Sequence, residues 1–369
     1  MLFRSKGNVI DPLVVMDKLG TDALRFTLLV GSAPGNDMNL SEKKVEANRN
    51  FANKIWNAGR FVINAIENAP ARPENDPVWT PADSWMCARL SAVVRSVNRL
   101  FENYQFGEAG RQIYDFFWSE FADWYIEIAK LQLREGGDRA FYTAWMLLRV
   151  LDKCLRMLSP FTPFVTEELW GHLKRTAQAK SERMAPDDPW AEALMLAKWP
   201  EAQAEQDWES PAIQDFVNGT IEHSRAFRTL KTELNMPVNQ HARGTIIAAP
   251  EMLAVLNAQK ESIKHTSGLD DLQILEATPN AEEYKQYHSS SIPATGSLVF
   301  LITDANTDDE KTQEKLKKEL DEANSQIQRL EKLLSSDFAN KAPAQVVENE
   351  RAKLDTYRKT VEKLQKQIK

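Results

Sequence analysis

The residues best suited to chemistry lie at the start of the chain, within Phe3–Pro12. Arg4 and Lys6 supply cations, Ser5 supplies a hydroxyl, and Gly7 leaves the backbone unobstructed ahead of a predicted helix. Cations and open backbone N–H groups are suited to hold a polyphosphate while negative charge builds in a transition state. Taken alone, the same residues are also compatible with a solvated turn.

Other catalytic patterns do not occur in the sequence. The five histidines never take HxxxH or HExxH spacing, and the two cysteines, Cys87 and Cys154, form no CxxC pair. We therefore expect no metal site. Walker A, Rossmann and GxSxG motifs are also missing. The adjacent acids Glu167 and Glu168 point in different directions on a helix, so we interpret Glu168 as a solvated residue and not as part of a dyad.

The elements that must position any site are mostly helical. Apolar residues recur at three- and four-residue steps from Glu46 onward. Further helical patterns cover Ser84–Tyr104, Glu108–Glu135 and Arg139–Arg175, with the last bent or restarted at Pro160 and Pro163. Aromatic residues on several sides of the middle stretch indicate burial among neighbouring helices. These patterns predict a helical bundle.

Composition divides the chain into four predicted regions. Residues 1–45 hold the glycine-bearing loop and two short helices, and 46–211 hold the bundle with an irregular connector. Strand-like and helical patterns in 212–304 predict a small α/β subdomain. In 305–369 one heptad grid of apolar residues flanks a proline-containing turn, which predicts an antiparallel coiled-coil hairpin. The expected fold class is mainly α.

Length and composition limit the class of protein. The chain has 369 residues, of which 43% are hydrophobic and 27% charged, which suggests two or three globular domains. No apolar run could cross a bilayer and no signal peptide is evident, so we expect a cytoplasmic protein without a membrane partner, and a monomer. The net charge of −7 means that a nucleic-acid site must be a local patch.

The N-terminal residues and the bundle also carry a family resemblance. Arg4–Pro12, followed by Asp17–Leu28, is similar to the KMSKS loop and the succeeding helices of class I aminoacyl-tRNA synthetases of the valine, isoleucine and leucine group. Asn48–Phe61 resembles the first helix of their anticodon-binding bundle. Asp115–Glu127 and Pro160–Trp170 resemble later bundle helices.

The tail narrows this resemblance to one branch. Phe338–Pro343 and Val346–Leu354 are similar to the turn and return arm of the C-terminal coiled coil of valyl-tRNA synthetases. The isoleucine and leucine enzymes do not end this way. The resemblance implies the tRNA-binding portion of a family that joins valine to ATP, with magnesium, and then transfers it to tRNA(Val).

The resemblance is incomplete where the chemistry occurs. The first lysine of the KMSKS loop is absent and Arg4 stands at the second, which keeps the charge but not the geometry of an ammonium group. The implied catalytic residues are Arg4, Ser5 and Lys6, with Arg4 on the ATP phosphates. The HIGH motif, the valine pocket and the editing domain are missing. We therefore expect the chain alone to be inactive and to bind no cofactor, with an N-terminal catalytic half as a candidate partner.

The resemblance also implies tRNA contacts. The segment from residue 43 to residue 61 carries five cations against one carboxylate, Glu46. Cations displace counterions from phosphate, amides bind base edges and an aromatic ring can stack on an unpaired base. The candidates are Lys43, Lys44, Arg49, Asn50, Asn53, Lys54, Arg60 and Phe61, together with Lys341, Arg351 and Arg358 in the coiled coil. Burial of Phe61 in the bundle core is an equally open interpretation.

Two other function classes remain open at this stage. A stand-alone RNA-binding or scaffold protein derived from a synthetase would carry the same bundle and coiled-coil motifs. A plain coiled-coil interaction protein would explain residues 310–369 but would leave the loop and bundle motifs without a role.

Overall fold

The architecture is that of a computed structural model. It describes residues 11–31, 40–180, 184–202, 210–237, 240, 242–277 and 287–302, and within the tail 320, 324–328, 330–332, 334–335, 354, 357 and 361. The chain forms two compact units, the first from residues 1–238 and 244–300 and the second from residues 239–243 and 301–369. None of the helices described is long and apolar enough to cross a membrane.

Two short helices come first, α1 (Pro12–Leu19) and α2 (Thr21–Val30). Asp11 begins α1 by accepting a backbone N–H of the first turn at 2.9 Å, and Pro12 fits there because that turn needs no donor from it. Gly20 separates the two helices with a φ of 92°, a conformation that strains residues with a side chain. The two predicted short helices are confirmed.

The bundle consists of six α-helices and one π-helical segment. They are α3 (Glu42–Glu67), α4 (Pro81–Glu102), α5 (Phe106–Asp115), the first π segment (Phe116–Tyr125), α6 (Ile126–Glu135), α7 (Gly137–Leu158) and α8 (Pro163–Lys180). As expected from the sequence, most rings of the middle stretch are buried in the core, whereas Tyr114 and Trp118 are half-buried at its edge.

The bundle differs from the sequence prediction in its middle stretch. The stretch Glu108–Glu135 is α-helical only towards its ends, because its middle is the π segment. An i→i+5 hydrogen-bond pattern leaves no distinct spacing of apolar residues that a sequence could reveal. The predicted restart within Arg139–Arg175 is confirmed, since α7 ends at Leu158 and α8 begins at Pro163.

An irregular connector, residues 184–202, is fastened along the bundle and contains one 3-10 turn, Leu194–Leu196. Arg156 of α7 is 2% exposed and holds this connector in place. Its Nε donates to Asp152 at 2.9 Å, and its Nη1 donates to the backbone oxygen of Lys198 at 3.0 Å. Because a buried guanidinium is costly without partners, these bonds decide where the connector lies.

The remaining elements mix helices and strands. They are α9 (Pro211–Phe216), the second π segment (Val217–Ile221), α10 (Glu222–Glu233), β1 (Arg243–Ala248), α11 (Pro250–Ala258), α12 (Lys260–Ser267), β2 (Asp271–Glu276), β3 (His288–Ile292) and β4 (Ser297–Ile302). The four strands form one sheet in the order β2-β1-β4-β3. The helical pattern over Glu251–His265 is interrupted at Gln259 and forms two helices. Strand β3 was not predicted, because its serine-rich sequence holds one β-branched residue, Ile292.

Helix α9 and the second π segment share the core of the bundle. Ile213, Phe216 and Ile221 are buried in the same apolar cluster as the bundle helices. The ring of Phe216 packs against Trp85 of α4 with 5.3 Å between centroids. Packing of α9 on α4 therefore fixes the second π segment and α10 beside the bundle.

In the second unit, every described residue between 320 and 361 is helical. Leu330 is 7% exposed, and Ile327 and Leu334 on the same heptad grid are half-buried. This burial pattern agrees with the predicted heptad. The turn and most of both arms of the predicted hairpin lie outside the described residues.

Candidate nucleic-acid interface

Helix α3 has one buried side and one exposed side. Residues that include Val45, Phe51, Ile55 and Val62 face the core. The exposed side advances by steps of three and four residues, through Lys43, Ala47, Asn50, Asn53, Asn57, Arg60 and Asn64. We name these seven residues the outer stripe. At a rise of about 1.5 Å per residue, the outer stripe is a continuous strip roughly 30 Å long.

Asparagine dominates the outer stripe. Four of its seven residues are asparagines, although asparagine is a weaker helix former than alanine, glutamate or lysine. Among the described residues, no hydrogen bond engages the side chains of Asn50, Asn53 or Asn57. Each exposed amide offers two donors and one acceptor oxygen, which matches the mixed edges of nucleobases.

The cations of α3 are mostly at the surface. Lys43, Lys44 and Arg60 are exposed. Arg49 is half-buried and forms an ion pair with Glu46, one turn earlier, with 3.2 Å between Nη2 and Oε1. Exposed pairs of this kind contribute only about 0.2–1 kcal/mol, so phosphate can replace the carboxylate at little cost.

Lys54 has an intramolecular partner that the sequence did not indicate. Its Nζ donates to Asp123 of the first π segment at 2.8 Å and lies 5.1 Å from the ring centroid of Trp118. The charge of Lys54 is therefore partly neutralised within the fold. Its predicted contact with phosphate requires it to share its donors with Asp123.

Phe61 lies between the two interpretations that the sequence left open. Its side chain is half-buried, and the Nζ of Lys130 in α6 lies 6.0 Å from its ring centroid. Lys130 also donates to Glu127 at 2.7 Å, and Glu127 faces His265 of α12 at 3.5 Å. The ring of Phe61 thus contributes to packing and still has an exposed part.

Six predicted site residues lie outside the described residues. They are Arg4, Ser5 and Lys6 at the N-terminus and Lys341, Arg351 and Arg358 in the tail. Of the two adjacent acids in α8, Glu168 is exposed as predicted and pairs with His172 at 3.0 Å. Glu167 instead accepts the backbone N–H of Leu194 at 2.8 Å and thereby helps to hold the connector.

A cavity that no sequence pattern indicated lies beside Asp123. It has a volume of about 530 Å³ and is formed by α4, both π segments and α10. Six of its lining residues are charged, namely Arg89, Glu120, Asp123, Glu222, Arg225 and Arg228. The remaining five are Trp85, Ser119, Trp124, Val217 and Ile221. These residues come from distant parts of the chain, which explains why the sequence alone did not group them.

Two ion pairs stiffen the walls of this cavity. Arg89 donates to both carboxylate oxygens of Glu120, and this bidentate contact raises the pKa of the Arg89 guanidinium. Arg225 donates to Glu222 of the same helix at 2.5 Å. The guanidinium groups and carboxylates of these pairs remain part of the cavity surface.

Arg228 is held differently. Its Nε donates to the backbone oxygen of Thr266 at 2.8 Å, and its guanidinium carbon lies 4.3 Å from the ring centroid of Trp124. Burial lowers the pKa of Arg228, against the opposing attraction of Asp123 and Glu127. Stacking on an indole ring fixes the plane of a guanidinium, so its donors point in defined directions.

Both π segments found in the described structure line the cavity. Ser119, Glu120, Asp123 and Trp124 come from the first, and the second provides two further wall residues. Tyr125, at the end of the first segment, is fixed because its hydroxyl donates to the buried Asp83 of α4 at 2.7 Å. Segments of π-helix are rare and often occur at functional sites.

Metal chemistry has no support in this part of the fold. Within the residues that the structure describes, no group of three or more His, Cys, Asp or Glu side chains could hold a metal ion. The arrangement of α3 and the cavity, with amides, guanidinium groups and aromatic rings, is instead typical of surfaces that bind single-stranded or looped nucleic acid.

Comparison with protein families gives three matches. The family described as "Anticodon-binding domain of tRNA ligase" matches residues 83–246, which include the cavity. "Valyl tRNA synthetase tRNA binding arm" matches residues 308–369, and "tRNA synthetases class I (I, L, M and V)" matches residues 2–41. All three family descriptions refer to tRNA ligases or tRNA synthetases.

Similar proteins narrow the class. The "Valine--tRNA ligase" of Dehalococcoides mccartyi strain CBDB1 is 36% identical over 367 residues, and that of Carboxydothermus hydrogenoformans is 34% identical over 372 residues. The matches cover 98% and 99% of this chain. Nearly the whole chain is thus similar to valine–tRNA ligases. It spans 39% of the length of each of these two relatives.

Solved structures of related synthetases resemble the chain more distantly. A ternary complex of Agrobacterium radiobacter K84 agnB2 LeuRS with tRNA and LeuAMS is 17% identical, with a TM-score of 0.38, over 58% of this chain and 29% of that chain. The apo methionyl-tRNA synthetase of Mycobacterium tuberculosis is 17% identical, with a TM-score of 0.40, over 55% of this chain and 42% of that chain.

Proposed function

We propose that this chain is the tRNA-binding portion of a valine–tRNA ligase and that it holds tRNA(Val) along the outer stripe of α3. The observation that carries the proposal is the outer stripe itself. It combines exposed cations with amides that have no hydrogen bond among the described residues, on the helix that precedes the matched anticodon-binding region. The cations supply affinity through phosphate contacts, and the amides supply contacts with base edges.

The individual roles follow from position and exposure. Lys43, Lys44, Arg49 and Arg60 bind phosphates, and Lys54 does so while it remains paired with Asp123. Asn50 and Asn53 bind base edges, and the exposed part of Phe61 stacks on an unpaired base. Lys341, Arg351 and Arg358 bind phosphates elsewhere on the same tRNA, where shape and not base identity is recognised.

The chemistry of the family requires more than this chain contains. In the proposed parent reaction, valine, ATP and tRNA(Val) give valyl-tRNA(Val), AMP and diphosphate, with magnesium on the ATP. Arg4 would contact the ATP phosphates, with Ser5 and Lys6 beside it. Charge stabilisation without a nucleophile and a substrate pocket lowers a barrier very little. The chain alone is therefore inactive in this proposal and needs a catalytic half.

Helix α1 offers a surface for such a partner. Leu13 is 65% exposed and Val14 is 59% exposed on consecutive positions, within the segment that matches the class I synthetase family. Exposed apolar residues of this kind are stabilised when another domain covers them. A catalytic half of a class I synthetase is the partner that the family match supports.

The tRNA proposal is tested by binding measurements at several salt concentrations. Lys43→Gln with Arg60→Gln should weaken binding of a tRNA(Val) transcript about tenfold and lower the salt slope by about 1 for each phosphate that is no longer neutralised. The matched control is Arg111→Gln with Arg175→Gln, which removes two exposed cations outside α3. Equal effects of the two pairs would show that α3 is not the binding face.

The catalytic proposal is tested by valine-dependent exchange of pyrophosphate into ATP. The purified chain should show no exchange, and exchange should appear when the catalytic half of a valine–tRNA ligase is added. With that half present, Arg4→Lys should raise the rate, because an ammonium group fits a crowded phosphate better than a guanidinium does. Exchange by the chain alone would contradict the proposal.

A further inference from the structure

Two side chains of α2 bond to the turn that joins α7 to α8. The carboxylate of Asp22 accepts the backbone N–H groups of Phe164 at 3.3 Å and of Val165 at 2.7 Å. Arg25, nearly one turn later in α2, donates from Nη2 to the backbone oxygen of Pro160 at 3.1 Å. Because Pro160 lies before α8 and the other two residues lie in its first turn, α2 holds this turn on both sides.

Asp22 takes the place of a local cap for α8. The first N–H groups of a helix have no partner within it, and a side chain just before the helix usually accepts one of them. Thr162 stands at that position, but its hydroxyl donates to the backbone oxygen of Leu158 at 3.3 Å. The cap comes instead from Asp22, 142 positions before Phe164. A carboxylate that is 8% exposed is costly unless it keeps its hydrogen bonds, so these bonds fix α2 against α8.

Helix α8 is in turn packed closely on α3, which carries the outer stripe. A Cβ atom added at Gly59 of α3 would lie 2.3 Å from Cδ2 of Leu169 in α8, so the two helices are as close as a glycine allows. A second link joins α3 directly to α2, because Asn48 donates to the buried hydroxyl of Thr27 at 2.8 Å. Helices α2, α3 and α8 therefore hold one another in place.

The segment on the other side of α2 carries the predicted catalytic residues. Lys6 precedes Pro12, the first residue of α1, by six positions, and residues 2–41 match the class I synthetase family. Helices α1 and α2 share a small apolar cluster with the start of α3, formed by Val15, Leu19, Ala23, Leu24 and Val45. A displacement of α2 therefore moves α1, and with it the point from which the residues before α1 extend.

From this geometry we infer that Asp22 is a positioning residue for the transfer of valine to tRNA(Val). The inference rests on the proposed function and adds a role outside the outer stripe. In the transfer step, the terminal ribose hydroxyl of the tRNA forms an ester bond with the valyl carbonyl carbon, the bond from that carbon to the phosphate breaks, and AMP leaves with the hydroxyl proton.

Asp22 acts on this step without touching a reacting group. It fixes α2 to the helix that packs on α3, so a tRNA held along the outer stripe and the segment before α1 keep one relative position. Reacting groups that are misplaced by about 1 Å can lose up to about 100-fold in rate. The formation of the adenylate does not involve the tRNA, so it does not depend on this alignment.

The test separates the two steps of the reaction. Asp22→Ala removes both bonds to α8, Asp22→Asn keeps one acceptor oxygen, and Arg25→Gln changes an exposed residue. The matched control is Thr80→Ala, which removes a cap from α4, the bond from the N–H of Asp83 at 3.2 Å. With the catalytic half of a valine–tRNA ligase added, each variant is assayed for pyrophosphate exchange, for affinity for tRNA(Val) and for the rate of valine transfer. Thermal melting establishes that each variant is folded.

The expected result is a loss confined to the transfer step. Asp22→Ala lowers the transfer rate about tenfold, whereas pyrophosphate exchange and tRNA affinity stay within about twofold of the wild type. Asp22→Asn restores most of the transfer rate, because its oxygen still accepts the N–H of Val165. Arg25→Gln gives a smaller loss of the same kind, about threefold, and does not depend on the stability of a buried site. In Thr80→Ala the three quantities keep their wild-type ratios.

Two sets of results would overturn the inference, and they are distinguishable. If transfer is unchanged in Asp22→Ala and Arg25→Gln, or falls by the same factor as exchange and affinity, Asp22 serves stability alone and the proposed function still stands. If the wild-type chain with the catalytic half transfers no valine to tRNA(Val), the proposed function and the inference fail together.

Discussion

The connector at residues 184–202 and the outer stripe of α3 both involve charged or polar side chains, but the fold uses them in opposite ways. At the connector, Asp187 forms ion pairs with Arg149, at 2.6 Å, and with Lys153, at 3.0 Å. These cations hold the pKa of Asp187 below its usual range. Along the outer stripe, Lys43 and Arg60 are exposed. Charges at the connector stabilise the protein, and those of the outer stripe are available to a ligand.

This contrast separates charges that are bonded within the fold from charges that are exposed, a distinction that residue type does not make. Arg156 and Arg60 are both helical arginines, but Arg156 is 2% exposed and bonds Asp152 and the connector backbone, whereas Arg60 is exposed. A buried guanidinium that loses its partners costs several kcal/mol. An exposed one costs nothing when a phosphate becomes its partner.

The largest expected effect is at the connector. Arg156→Ala leaves Asp152 buried beside Trp170 without its cation and frees the backbone oxygens of the connector. We expect the free energy of unfolding to fall by about 3–5 kcal/mol, as measured by urea denaturation. Arg60→Ala should change it by less than about 0.5 kcal/mol. Equal losses of stability would remove the distinction between the two kinds of charge.

The pH dependence of stability sharpens the same distinction. Burial raises the pKa of Asp152 to about 6, against the opposing attraction of Arg156 and the hydrogen bond from Trp170. A raised pKa means that the folded state takes up a proton more readily than the unfolded state, so this group adds stability as the pH falls through 6.

The measurement compares the wild-type chain with Asp152→Asn, which cannot titrate. The advantage of the wild-type chain in free energy of unfolding should grow by about 2 kcal/mol between pH 7.5 and pH 4.5. Subtracting the variant removes the contributions of all other groups, including Asp187, whose lowered pKa has the opposite effect at still lower pH. A constant difference would mean that Asp152 stays ionised throughout.

The fold was predictable where local rules decide it. Asp11 and Pro12 mark the start of α1, and the three- and four-residue steps of apolar residues reveal the buried side of α3. The break at Gln259 was not predictable, because no glycine or proline marks it. The first π segment was also hidden, since its rings are buried on several sides whether the helix is α or π.

The candidate site was predictable only in part, because some of its contacts join helices that are distant in the sequence. The excess of cations and amides between Lys43 and Phe61 is a local property that the sequence shows directly. The pairing of Lys54 with Asp123 depends on packing between helices that are 69 residues apart in the chain. The stacking of Arg228 on Trp124 depends on how α9 docks on α4, so it leaves no trace in any local pattern.

A smaller effect, of opposite sign for stability and binding, is expected at the amides of the outer stripe. Asn50→Ala with Asn53→Ala should raise the free energy of unfolding by about 0.5 kcal/mol for each change, because alanine is the better helix former. The affinity for tRNA(Val) should nevertheless fall five- to tenfold, or by roughly 1 kcal/mol.

The control for these amides is Asn257→Ala, an exposed asparagine in α11 whose side chain donates to the backbone oxygen of Leu253 at 2.8 Å, and this change should leave the affinity unaltered. Unchanged affinity in the α3 variant would show that the asparagines are a solvated face and that only the cations of the outer stripe bind RNA.

The smallest effect is expected in the tail, whose predicted cations Lys341, Arg351 and Arg358 lie outside the described residues. Replacing all three with glutamine should weaken the binding of valine-accepting and unrelated tRNAs by the same factor, about threefold each, because phosphates carry no base identity. The salt slope should fall, and thermal melting of the bundle should not change, since Leu330 and its heptad neighbours belong to a separate compact unit. By contrast, Asn50→Ala with Asn53→Ala should weaken the binding of tRNA(Val) more than the binding of unrelated tRNAs. If the tail variant discriminates among tRNAs, the coiled coil reads bases as well as phosphates, and recognition cannot be assigned to the outer stripe alone.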